Sequence, residues 1–175
     1  GDLSGSTNPI IITMNGNKTV TANFSAISPV SVTVSNARGN PGQADIVVPI
    51  SVSDITGLGF ISCQITLRYD AALLTATGVN NTGAITAGWG NPTYNLKLGE
   101  IPISLYGVTS LSGSGTLVNI IFRVNSPARS GDTTLDLTQA QFNSGAIAST
   151  LIDGVFSINN LAPILASLGN KTIDE

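Results

Sequence analysis

The chain has no histidine and one cysteine in 175 residues. Without imidazole, Ser-His-Asp and Cys-His catalytic arrangements and histidine-built zinc sites are excluded. Cys63 has no internal disulfide partner, so cysteine usage leaves the compartment undecided. Charge is equally scarce, with 7 Lys and Arg against 10 Asp and Glu and a net charge of -3. No basic patch is available to neutralise phosphates, which argues against a nucleic-acid partner. The longest apolar stretches, such as Ile10–Ile12 and Val118–Phe122, fall far short of the roughly 20 residues a membrane helix needs. One Trp and three Tyr offer little for a linear sugar-stacking platform.

What remains is 42% hydrophobic, enough for a real core, with 19 Gly and abundant Ser, Thr, Asn and Val. That mixture describes short strands joined by tight turns, so the chain reads as nearly all-β. Three segments separate. Residues 1–26 carry strand-like runs around Asn15-Gly16-Asn17, a hairpin signature closing with Thr19–Phe24. Residues 29–159 alternate strand and turn, with about nine strands expected near 30–35, 44–53, 58–68, 73–79, 93–98, 100–107, 115–125, 133–142 and 149–158. Strands at this spacing make a two-sheet sandwich. The one helical candidate is a single turn after Asp70, carrying Leu73 and Leu74 into the core. Residues 160–175 begin a further strand pattern and read as the start of a neighbouring module. The opening Gly1-Asp2-Leu3, without Met, fits an excerpt from a longer precursor.

In Gly59–Asp70, apolar Ile61, Cys63, Ile65 and Leu67 alternate with polar Ser62, Gln64, Thr66 and Arg68. This predicts a strand with one dry and one wet face. If Ile101, Ile103 and Leu105 also point inward, then Glu100, Pro102, Ser104 and Tyr106 point outward. Two neighbouring strands would then offer one surface. Trp89, flanked by Gly88 and Gly90, is a candidate aromatic contact or a lid folded over the sandwich end, and Tyr94 faces the same choice. Asp45, Asp54, Asp70, Glu100, Asp132, Asp136 and Asp153 could in principle form a hydrolytic pair, but most sit in turns where Asp caps backbone. No Asp-x-Asp-x-Asp run supplies a calcium loop, so no cofactor is expected in this chain, a calcium ion among the turn aspartates being the lesser alternative.

At Ser62–Asp70 the chain resembles a cohesin domain, the scaffold module that captures dockerins in bacterial cellulose-degrading complexes. Further features agree in order: Asn40-Pro41-Gly42 before Val47–Ile50, Arg68-Tyr69-Asp70 followed by Leu73-Leu74, Gly113–Leu117 leading into Ile121–Val124, and the closing Ile152–Phe156. The resemblance spans residues 29–159. It implies a nine-stranded jelly-roll sandwich, no catalysis, and a flat sheet face that binds a small helical partner carrying the calcium. The positions matching the capture strands are Ser62, Gln64, Glu100, Pro102, Ser104 and Tyr106, with Thr66 and Arg68 on the same face. Where cohesins tend to place Asn and Asp, this chain has Ser62 and Gln64, which removes a charge. Residues 1–26 look like the end of a bacterial surface repeat, and 160–175 are similar to the opening of an immunoglobulin-like module.

The expected function is therefore a non-catalytic binding module in a large extracellular or cell-surface protein. Two other functions compete. Unpaired strand edges at 1–26 would suit a spacer or filament subunit that assembles with adjoining copies by strand complementation. Carbohydrate binding is the third, since similar sandwiches carry sugar-binding modules.

Overall fold

The computed structural model describes residues 11–21 and 28–159. The strands are β1 (Val30–Val34), β2 (Ala37–Gly39), β3 (Ile46–Val52), β4 (Phe60–Arg68), β5 (Leu74–Asn80), β6 (Thr93–Tyr94), β7 (Glu100–Leu111), β8 (Gly115–Val124), β9 (Gly131–Phe142), β10 (Ser149–Ile152) and β11 (Gly154–Ile158). They form a five-stranded sheet ordered β10-β1-β3-β8-β5 and a six-stranded sheet ordered β2-β11-β9-β4-β7-β6. The result is the two-sheet sandwich that the alternating pattern and turn spacing lead one to expect, in the jelly-roll form that the resemblance implies. Residues 11–21 of the expected N-terminal hairpin hold a bend at Asn15–Gly16 and no strand; its other residues, and all of 160–175, lie outside the described residues.

Inward side chains of both sheets meet in one core. Phe60, Phe122, Phe142 and Phe156 are each fully buried. Phe60 lies against Phe142 with ring centroids 4.7 Å apart, and Phe122 meets Phe156 edge-on at 6.3 Å. Burying one such side chain contributes about 1.5–3 kcal/mol. Cys63 sits among them, and burial pushes its thiol up to about 12 against a weaker opposing hydrogen bond with the Leu105 backbone. It is a small core side chain.

The eleven strands of the described residues depart from the nine expected: β2 is additional, the run expected over 93–98 is strand only at Thr93–Tyr94, β7 runs on to Leu111, and the run over 149–158 is split. The run expected as one strand over 149–158 is broken at Asp153, where the chain leaves one sheet and enters the other. β1 and β2 make the same crossing at Ser35–Asn36, and the paired crossings run side by side: β10 lies parallel to β1, and β11 parallel to β2. The Asn36 side chain accepts the Val155 N–H at 2.8 Å. Gly154 is required there, because a Cβ would stand 2.9 Å from the carbonyl oxygens of Val34 and Ser35. The helical turn after Asp70 forms as expected, with the Leu74 N–H on the Asp70 carbonyl and the Ala72 N–H on its carboxylate at 2.9 Å each.

Candidate functional site

β4 occupies the middle of the six-stranded sheet, flanked by β7 and β9. Its antiparallel register with β7 pairs Ser62 with Tyr106, Gln64 with Ser104, Thr66 with Pro102 and Arg68 with Glu100. Residues directly opposite share a side of the ladder. All eight expected face residues are thus brought together as cross-strand neighbours on the outer side, while Cys63, Ile65 and Leu67 lie opposite Leu105, Ile103 and Ile101 in the core.

β9 extends this surface. Gln141 stands opposite Gln64, Gln139 opposite Thr66, and Asp136 opposite Arg68. The Thr66 hydroxyl donates to Gln139 Oε1 at 3.2 Å. Sequence reasoning missed these residues because it did not specify which strand lies on the far side of β4. A usable signal was present: Leu135, Leu137, Ala140 and Phe142 are the buried residues of β9, which leaves Gln139 and Gln141 outside.

Chemically, the face changes along its length. At one end Glu100 accepts from Arg68 Nε at 3.1 Å and from Lys97 Nζ at 3.3 Å. The Arg68 guanidinium first, and Lys97 second, hold the Glu100 carboxyl below its ordinary range. The centre is neutral amide and hydroxyl. The other end is apolar: Tyr106 is 76% exposed, Val108 fully exposed and Ile61 44% exposed.

That apolar end corrects the expectation that Ile61 points inward. Phe60 is buried instead, and the β4–β7 register slips between Phe60, opposite Leu111, and Ser62, opposite Tyr106. A regular strand could not bury both Phe60 and Cys63, which are three positions apart, because alternate residues face opposite sides. The bulge buries the larger ring and turns Ile61 out. Asn143 supports it: Oδ1 accepts the N–H of Ile61 at 3.0 Å and of Ser62 at 3.2 Å, and Nδ2 donates to the Gly59 carbonyl at 2.8 Å.

Neither candidate loop aromatic belongs to the outer rows of the face. Trp89 folds back as a lid, stacked on Phe60 at 5.8 Å and 19°, with Nε1 donating to the Thr109 carbonyl at 3.0 Å. Its loop is built from within, since buried Asn81 donates both amide hydrogens, to the Thr86 and Gly90 carbonyls. Tyr94 pairs with inward Ile103, so it lies on the other side of the ladder from Ser104.

Asp54, Asp70 and Asp153 accept backbone N–H groups and Glu100 closes ion pairs. Asp54 takes the Thr56 hydroxyl and N–H, which lowers its carboxyl, and Asp153 accepts the Leu137 N–H at 2.9 Å. Among the described residues no group of three or more acidic, Cys or His side chains is placed to hold a metal, and no helix is long and apolar enough to cross a membrane.

The family model for the cohesin domain matches residues 30–160. Comparison with curated proteins gives no match. Among solved structures, a cohesin–dockerin complex from Clostridium thermocellum, Coh-OlpA-Doc918, matches with a TM-score of 0.67 and 17% identity, over 75% of this chain and 100% of that one. The seventh ScaB type I cohesin of Pseudobacteroides cellulosolvens matches with a TM-score of 0.65 and 21% identity, over 78% and 96%. A non-cellulosomal cohesin of the archaeon Archaeoglobus fulgidus gives 0.64 and 20%, over 76% and 93%.

Proposed function

Because the chain belongs to the cohesin family and is a non-catalytic protein-binding module, we propose that the outer face of β4, β7 and β9 captures a calcium-loaded, dockerin-like helical module. The observation that carries this is the register of β4 against β7, which lines up four successive outward pairs. Relatives solved together with dockerins support the class of partner. Tyr106 supplies the apolar anchor, Gln64, Ser104, Gln139 and Gln141 supply hydrogen bonds, and Arg68 with Glu100 forms the rim. The module would act within a larger secreted or cell-surface scaffold.

A pull-down of a panel of calcium-loaded dockerins on the immobilised chain tests this. At least one should be retained and then released by a calcium chelator. Retention of none by the folded domain would remove the proposal.

Assembly with adjoining copies is a second reading. It draws on β10, an edge strand of its sheet whose Leu151 and Ile152 are 36% and 43% exposed. Sedimentation at high concentration tests it, with self-association expected and a strict monomer contradicting it.

A further inference from the structure

At the apolar end of the face, β7 departs from β4 over residues 107–110 and a groove of about 350 Å³ opens beside it. Ile85, Trp89, Tyr106, Val108 and Leu111 supply its apolar lining. One wall is held by the chain's own contacts. Gly107 has no side chain, so the Trp89 indole lies flat against the strand, fixed by Phe60 behind it and the Thr109 carbonyl at its Nε1. A valine left fully exposed beside an exposed tyrosine, on a face whose centre is lined by amides and hydroxyls, is an exposed apolar surface.

Resting on the docking reading above, we infer that this groove receives a bulky aliphatic side chain from one end of the partner's docking helix. The groove is continuous with the face, because Tyr106 is both the last residue of the paired rows and part of the groove wall. From Glu100 to Tyr106 the strand runs about 20 Å at roughly 3.3 Å per residue, a span covered by about 13 residues of helix at 1.5 Å each. A helix laid along β7 therefore reaches both ends. Charge fixes its polarity: the Glu100 end, with Arg68 and Lys97, suits polar side chains, and the Val108 end, with no charged lining residue, suits an aliphatic one.

Trp89 is the only tryptophan in the chain and half-buried, so its emission reports what fills the groove. The test uses any calcium-loaded dockerin retained by the chain, with its own tryptophans replaced by phenylalanine. Binding followed by calorimetry should coincide with a blue shift of Trp89 emission, and Val108→Asp should weaken binding on the order of tenfold or more at unchanged melting temperature. Binding with an unchanged spectrum, or a Val108→Asp variant of wild-type affinity, would overturn the groove assignment and leave the face reading intact. Failure of every dockerin to bind would remove both.

Discussion

The carboxamide oxygen of Asn143 accepts the backbone N–H of Ile61 at 3.0 Å, across 82 positions of sequence. Together with its bonds to Ser62 and Gly59, this makes one side chain the support of the bulge that turns Ile61 outward. Asn143 itself has φ 45°, a left-handed conformation that asparagine tolerates better than most residues. Asn143→Ala loses three hydrogen bonds and strains the backbone. It should cost about 1–3 kcal/mol in urea unfolding, with Asn143→Asp retaining part of that stability through its acceptor oxygens. Wild-type stability of the alanine variant would contradict this role.

Gly107 has a different function. A Cβ there would lie 2.0 Å from Trp89 Cδ1 and 2.4 Å from Cγ, so even alanine must push the indole aside. Gly107→Ala should cost about 1–3 kcal/mol and shift Trp89 emission to the red as the ring leaves Phe60 and the Thr109 carbonyl. An unshifted spectrum would show that the ring does not depend on this contact.

Cys63 sets a dependence on alkali. The folded state keeps the thiol protonated up to about 12, whereas the unfolded chain loses its proton near the ordinary 9.0. Between these values the unfolded state binds fewer protons than the native one, so stability falls as pH rises, by at most about 1.4 kcal/mol per unit. Cys63→Ala should flatten this part of the stability–pH curve. The native thiol should also resist alkylation at pH 8 and react on unfolding.

Much of this was legible in the chain. The alternation at Cys63–Leu67 and Ile101–Leu105 gave the two faces directly, because a half-buried strand imposes period two on its side chains. Three features were hidden, each for a physical reason. The outward turn of Ile61 reflects competition between adjacent apolar residues, which only the available core volume decides. Gln139 and Gln141 join the face through strand order, a long-range property. The sheet crossing at Asp153 is marked only by Asp153-Gly154, a turn dipeptide that does not say the strands it joins lie in different sheets.

Three charges at the rim of the face satisfy one another, with Glu100 held between Arg68 and Lys97. As an exposed carboxyl held below its ordinary range, Glu100 contributes its small stabilisation above that range and loses it only as pH falls through the lowered value. Partner binding should therefore depend weakly on salt, changing less than about threefold between 50 and 500 mM NaCl. A steep loss of affinity over that interval would mean that these pairs open to meet charges on the partner.

Docking on the outer side of β4 and β7 puts Ser104 in the middle of the contact, exposed and paired with Gln64. The most direct test is calorimetric titration of a calcium-loaded dockerin into the wild type and into Ser104→Arg, with melting temperatures compared alongside. Affinity should fall on the order of 100-fold or more with no change in stability. Equal affinity for the two proteins would place the partner elsewhere and contradict docking on this face.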